Sequence, residues 1–299
     1  MLLVAKLFRN IARLLAEADW SKKPLFVDIY RSLLMMFLPR GKSEVLVNSY
    51  RLAMRVKRTG SFADVGAALL LDGKYEPQTT ELFKKLVKPG MRVIDIGANI
   101  GYFTLLASKL VGGKGKVWAF EPEKDNFQDL RDNVKLNGYS NVELWQKAVG
   151  DEDSKARPYL AKDSGGHSLI PNRYVSDKKT VEVDIVKLDS VIHGRVDIIK
   201  SDTKGNELAV LRGAEKLLRR NKDVKLFVEF HLNAFGEKYV AELIDLLLSY
   251  GFKYLYLVDD WEMSVVGADL QMLLRAKRRR IPTYAPNVLC SKNKMRFQD

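Results

Sequence analysis

The sequence predicts an α/β protein built on a doubly wound, mostly parallel sheet of seven strands, preceded by a helical and short-strand extension. Two observations carry that class. From Pro77 onward, short apolar runs alternate with stretches of helical length, as expected when crossover helices bury both faces of a parallel sheet. The first strong strand then runs into the glycine-containing turn Asp95-Ile96-Gly97-Ala98-Asn99-Ile100-Gly101, which opens a helix. Such sheets bind ligands there, outside the carboxyl ends of their strands. Composition agrees, since 299 residues at 46% hydrophobic and 29% charged can bury a sizeable core. The change of pattern divides the chain into an extension, residues 1–75, and a main domain, residues 76–299.

In the extension, Leu3, Leu7, Ile11, Leu14, Leu15 and Ala18 recur at helical spacing, with Lys6, Arg9, Arg13 and Glu17 between them. Ser21 and Pro24 open a second helix through Leu25–Leu38, which Pro39–Gly41 ends. Residues 44–75 read as short strands and turns, chiefly Ser43–Leu52 and Met54–Lys57. In the main domain the helices are Thr79–Val87, Ile100–Leu110, Lys124–Asn137, Glu207–Asn221 and Glu237–Tyr250. The strands are Val93–Ile96, Val117–Phe120, Val142–Ala148, Val196–Ser201, Leu226–Phe230, Tyr254–Val258 and Asn287–Ser291, with an irregular segment over Gly150–Val181.

Charge is unevenly placed. The formal net charge is +13, and residues 1–75 and 270–299 each carry +7 against −1 between them. Basic flanks of this kind suit an anionic partner or simply a solvated face. The single cysteine, Cys290, excludes an internal disulfide and any cysteine-clustered metal site. No apolar run approaches the ~20 residues of a membrane span, and Lys6, Arg9 and Arg13 interrupt any secretory signal. A soluble cytoplasmic protein is expected, with residues 1–20 able to lie peripherally on a membrane, pack on the domain, or pack on a second copy in a homodimer.

The turn narrows the ligand. Gly97 and Gly101 allow close backbone approach, and Glu121, followed by Pro122, ends the next strand 26 residues after Asp95. An acid there accepts the hydroxyls of an adenosine ribose. A dinucleotide site wants Gly-x-Gly-x-x-Gly, yet Asn99 and the bulky Tyr102 stand at the second and third glycines. Asp95 suits a cationic ligand instead. The reading is S-adenosylmethionine, held by Asp95, Gly97, Asn99, Gly101, Tyr102, Glu121 and Pro122.

With these motifs in place, residues 76–230 resemble the FkbM family of S-adenosylmethionine-dependent methyltransferases. The matching stretches are Tyr75-Glu76-Pro77, Val93–Thr104, Ala119–Pro122, Asn133–Gly138, Ala148-Val149-Gly150-Asp151, Val181–Asp189 and Asp197–Gly213. The resemblance implies a Rossmann-like class I methyltransferase fold and adds Glu76 and Ala148 to the cofactor residues. It also implies methyl transfer to hydroxyls of sugars, glycans or other small molecules. Over the last stretch the family typically reads IKxDxEGxE. Here Lys204 replaces the usual Glu, while Asp202, Gly205 and Glu207 remain.

Asp202, ending the fourth strand, is a candidate to orient or deprotonate the acceptor, or to contact the cofactor's amino group. His231, after the fifth strand, is the other candidate base. His167 in a flexible loop, Lys204 and Glu229 are candidate substrate contacts. Asp202, Glu229 and His231 also have metal-ligand chemistry, but their spacing is not diagnostic and no metal is assigned. Glu207 is explained by the dipole of the helix it opens. Ser201-Asp202-Thr203-Lys204 replaces the Asn-Pro-Pro-Tyr type of tetrad used on planar exocyclic amines, which disfavours base methylation. The alternatives are an RNA methyltransferase using the basic flanks, including Arg275–Arg280, and a non-catalytic cofactor-binding scaffold.

Overall fold

The computed structural model describes residues 42–47, 52–57, 65–156, 159–161, 175–180, 182–260, 264–268 and 286–295. The predicted helices over residues 3–18 and 25–38, the basic run 275–280 and His167 lie outside them. The chain divides into two compact units, Met1–Tyr75 and Glu76–Asp299. Among the described residues, no helix is long and apolar enough to cross a membrane.

In the first unit, β1 (Lys42–Val47) and β2 (Leu52–Lys57) pair antiparallel, Lys42 opposite Lys57. Leu52, Met54 and Val56 alternate along β2 and are buried, the two-residue period of a half-buried strand. The helix α1 (Val65–Asp72) packs against β2. It corrects the expectation of strands and turns through residue 75. Its sequence, VGAALLLD, is apolar nearly all round and so shows no helical periodicity.

The second unit opens with α2 (Pro77–Leu86), where proline occupies the first turn. There follow β3 (Arg92–Ile96), α3 (Tyr102–Val111), β4 (Lys116–Phe120), α4 (Lys124–Leu136) and β5 (Val142–Trp145). Then β6 (Ala148–Val149), β7 (Ser154–Ala156), β8 (Tyr159–Ala161), β9 (Val175–Thr180) and β10 (Val183–Val186) form two small sheets, β6-β10-β7 and β8-β9. The short α5 (Leu188–Val191) leads to β11 (Ile198–Ser201), α6 (Glu207–Arg212), α7 (Glu215–Arg220) and β12 (Lys225–Glu229). Last come α8 (Leu232–Ser249), β13 (Tyr254–Asp259), β14 (Ser264–Ala268) and β15 (Asn287–Ser291).

The main sheet has the order β14-β13-β15-β12-β11-β3-β4-β5. The class is the predicted one, but among the described residues the count is eight rather than seven. The extra strand, β14, is a short edge strand antiparallel to β13, with Val266 exposed. Its sequence, SVVGA, shows neither a long apolar run nor strict alternation. The five strands from β12 to β5 are mutually parallel, and β15 inserts antiparallel between β12 and β13. The core on one face gathers Ile94, Ile96, Leu188, Leu217, Phe230, Leu243, Leu247 and Phe252.

Three boundaries differ from expectation for tertiary reasons. The helix expected over Glu207–Asn221 is two helices. At the break, a Cβ on Gly213 would lie 1.8 Å from the Gly150 carbonyl oxygen. The Asp189 carboxylate accepts from the Lys216 and Leu217 amides at 2.8 and 2.7 Å, capping α7 from 28 residues away. The strand expected over Val142–Ala148 splits, because Ala148 leaves the main sheet to pair with Ile185. In α8, Gly236 sits at φ 81° and breaks the helix one turn after its start.

Candidate active site

The turn after β3 is built around glycine conformations. Gly97 lies at φ 75°, and a Cβ there would come within 2.0 Å of the Asp202 carbonyl oxygen. The Gly97 and Ala98 amides donate to the Phe120 carbonyl at 2.9 and 3.0 Å, and the Asp202 amide donates to Ile96. The ends of β3, β4 and β11 are thereby stitched into one rim. Gly101 (φ 98°) caps α3 against Leu130. Asp95 is buried, accepts from Thr104 Oγ1 at 2.6 Å, and has its carboxyl raised by burial against the pull of Lys200.

Glu121 is held at both oxygens. Asn99, itself left-handed at φ 51°, donates its amide to Oε2 at 2.8 Å, and Glu123 donates its amide to Oε1 at 2.9 Å. Burial nevertheless pushes the carboxyl up to about 7. The Asn126 side chain also bonds this carboxylate, and of its roughly four acceptor sites capacity remains for a ribose hydroxyl. Pro122 follows it, half-buried.

At the ends of β11 and β12 the charged groups converge. Lys204 Nζ lies 2.6 Å from Asp202 Oδ1 and 2.7 Å from Glu229 Oε2. His231 Nε2 lies 2.9 Å from the same Glu229 oxygen. Lys200, buried in β11, approaches Asp202 Oδ2 at 3.7 Å and stands 4.5 Å over the Phe103 ring. Burial alone would raise the Asp202 carboxyl, but the ammonium groups of Lys204 and Lys200 hold it well below the usual carboxylate range. Burial would lower the His231 imidazole. Glu229 outweighs that and raises it.

Glu76, at φ 40°, begins α2 beside this group and accepts from Asn287 Nδ2 at 3.1 Å. Its carboxyl is pushed up to about 7, by burial first and then by Asp202, Asp260 and Glu229 against Lys200. Tyr102 is buried, with its hydroxyl accepting from Thr80 at 3.3 Å and its ring edge-on to Phe103. Ala148 lies in the small sheet, buried beside Val149, whose carbonyl accepts from Asn206. Asp95, Asp202, Glu229 and Glu76 thus meet through Lys200, Lys204 joins through Asp202 and Glu229, and Gly97, Asn99 and Glu121 line the adjoining turn.

Sequence reasoning passed over several residues of this rim. Lys200 is a lysine at the centre of an apolar strand, a signal that was legible. Asn287 leaves its buried Oδ1 without a hydrogen bond beside Glu76, and nothing in its own stretch singles it out. Asp260 accepts from the Gln78 and Thr79 amides at 2.6 and 3.0 Å, capping α2 from 181 residues away. Glu207 does more than answer a helix dipole. It is fully buried and accepts at Oε1 from the Thr203 amide and hydroxyl and the Gly205 amide, and at Oε2 from Tyr239 at 2.7 Å.

A parallel sheet with an acid-gripped glycine turn at its switch point defines a protein that binds an adenosine-containing cofactor. The chain belongs to the methyltransferase FkbM domain family, whose model matches residues 95–254. It is 39% identical over 123 residues to "Probable cobalt-precorrin-6B C(15)-methyltransferase (decarboxylating)" of Sulfurisphaera tokodaii, covering 40% of this chain and 63% of that one. It is 38% identical over 66 residues to a ribosomal protein L11 methyltransferase of Caldanaerobacter subterraneus, covering 22% and 21%. The chain therefore spans less than two thirds of the length of these curated relatives. Among solved structures, an FkbM methyltransferase from Methylobacillus flagellatus aligns over 75% of this chain and 52% of that one, at 18% identity and a TM-score of 0.45.

The cofactor of this family is S-adenosylmethionine, and the residues fit it. Glu121 presents acceptors for the ribose, and the orphaned Asn287 Oδ1 with the Glu76 carboxylate suits an ammonium group. A pH dependence follows. Glu121 titrates near 7 in the fold against 4.5 in the unfolded chain, so it favours folding below about 4.5 and withdraws that contribution as pH rises through about 7. Cofactor binding needs the ionised form and runs the other way. Calorimetry should show S-adenosylmethionine affinity rising from pH 6 to 8, with Glu121→Gln weaker throughout and flatter. An unchanged slope in Glu121→Gln assigns the titration elsewhere, first to Glu76.

Proposed function

We propose that the protein is an S-adenosylmethionine-dependent O-methyltransferase acting on a hydroxyl of a sugar, glycan or other small molecule, with His231 as the proton acceptor. The observation that carries this is the His231–Glu229 pair, 2.9 Å apart at the carboxyl rim, beside an Asp202 already engaged by Lys204. When bound, S-adenosylmethionine supplies an electrophilic methyl group. The chain supplies position and proton management. Glu121 would hold the ribose, Glu76 and Asn287 would hold the amino group, and the Gly97 turn would let the backbone approach closely.

A hydroxyl must lose its proton as the carbon–oxygen bond forms, so a base poised near working pH is useful. Asp202, held strongly ionised by two ammonium groups, is a poor proton acceptor. The raised His231 imidazole is a better one. If Nε2 carries its proton toward Glu229, 2.9 Å away, Nδ1 is the nitrogen that takes the acceptor's proton. The acceptor oxygen would then carry the methyl group as an ether, the carbon–sulfur bond breaking as its electron pair returns to sulfur. S-adenosylhomocysteine would leave as a neutral thioether, while His231 would pass the acceptor's proton to solvent.

The test is a methyl-transfer assay with labelled S-adenosylmethionine against soluble sugar, lipid-linked glycan and RNA pools. Label in a carbohydrate fraction, stable to alkali as an ether, supports the reading. Label confined to RNA overturns the acceptor class. Cofactor binding without turnover on any pool makes the protein a scaffold.

A further inference from the structure

Asp202, Glu229 and His231 each offer one ligand atom, and these atoms all lie within 4.8 Å of one another. Two carboxylates and an imidazole are a donor set that suits divalent cations. Yet the space between the carboxylates is taken. Lys204 Nζ sits 2.6 Å from Asp202 Oδ1 and 2.7 Å from Glu229 Oε2, the lengths of charge-assisted hydrogen bonds.

We propose that the Lys204 ammonium is the resident cation of this cluster, occupying the place a divalent ion would take and keeping such ions out. The backbone is shaped for that placement. Lys204 lies at φ 53°, a left-handed conformation that is costly for a residue with a side chain, and Gly205 follows at φ 108°. The conformation is over-determined by Glu207, which binds the Thr203 amide, the Thr203 hydroxyl and the Gly205 amide with a single oxygen. The ring of Phe235 closes the other side, where a Cβ on Gly205 would meet it at 2.1 Å. The turn is thus clamped from two sides with its ammonium between the two carboxylates.

The charge arithmetic agrees. Asp202 has ammonium groups at both oxygens, Lys204 at Oδ1 and Lys200 at Oδ2. A divalent ion entering the cluster would meet a fixed positive charge within a few ångströms. The consequence deepens the proposed function, on whose placement of the acceptor it rests. A divalent ion has open coordination positions and can chelate two adjacent oxygens, as in a vicinal diol or catechol. A lysine ammonium has none, so recognition here proceeds by hydrogen bonding and does not select adjacent hydroxyls by chelation.

The experiment is a Mn²⁺ titration of the full-length protein, followed by electron paramagnetic resonance and calorimetry, in the wild type, Glu229→Gln, Lys204→Met and Lys204→Met/Glu229→Gln. The wild type should show no Mn²⁺ binding that Glu229→Gln removes. Lys204→Met should bind one equivalent, roughly tenfold or more tighter than any wild-type binding, and the double variant should lose it. If Lys204→Met does not fold, as judged by circular dichroism, Lys204→Gln is titrated with the same two outcomes. A wild-type equivalent abolished by Glu229→Gln would overturn the proposal, because the ammonium then yields to metal. So would a neutral Lys204 variant that binds no better than wild type. Neither readout needs methyl transfer, so failure of the acceptor assignment is distinguishable from failure of the cation assignment.

Discussion

Replacing His231 with Gln should lower turnover by about 100- to 10,000-fold, the usual contribution of a positioned base, while S-adenosylmethionine affinity stays within about twofold of wild type. The reasoning separates two carboxylate–cation arrangements that look alike in sequence. Asp202 faces ammonium groups that cannot pass its proton onward at neutral pH. Glu229 shares one oxygen between Lys204 and His231, at 2.7 and 2.9 Å, and its charge raises the imidazole. The wild-type rate should therefore fall on the acid side as His231 becomes protonated, and the Gln variant should lose that limb. Single-turnover kinetics with saturating cofactor is the measurement. A variant that turns over normally removes His231 from the chemistry. One whose cofactor affinity collapses makes it a binding residue.

Gly97→Ala should destabilise the fold by about 3 kcal/mol or more, since left-handed strain and a backbone clash act together. The added Cβ would stand 2.0 Å from the Asp202 carbonyl oxygen. That oxygen cannot swing aside as a side chain would, because the Asp202 amide is itself bonded to Ile96. Gly90→Ala is the control. It has a similar φ, 80°, with nothing within 4 Å of the new atom, so only the strain of about 1–2 kcal/mol remains. Urea unfolding of the two variants gives the difference directly. Equal midpoints would mean that the turns after β3 and β11 can move apart, contrary to the stitched rim.

What the chain reveals locally and what it conceals follow from where each constraint originates. The parallel sheet was legible because β3, β4, β11 and β12 are buried on both faces and read as apolar runs. The cofactor turn was legible because Gly97, Gly101 and Glu121 answer needs set within one strand–turn–helix unit. The break between α6 and α7 was not, because it is made by Asp189 and Gly150, remote in sequence. The edge strand β14 and the apolar α1 lack the periodicity that announces an element. In the site, Asp202, Lys204, Glu229 and His231 stood out as types at strand ends. That one lysine would bridge two of these residues depends on a backbone twist at residue 204 that no local pattern records.

The insertion of β15 has a consequence for how the molecule comes into being. The ribosome delivers β12 and β13 long before residues 287–291, yet each of those strands hydrogen-bonds β15 on its inner edge. Until that last strand emerges, the nascent sheet presents two open edges facing a gap, and open edges invite pairing with other chains. All five β15 residues are buried, so its arrival completes the interior as well as the hydrogen-bond ladder. A chain truncated after β13 but before residue 287 would therefore be aggregation-prone, lacking Asn287 and carrying an unfinished sheet beside an otherwise complete cofactor turn.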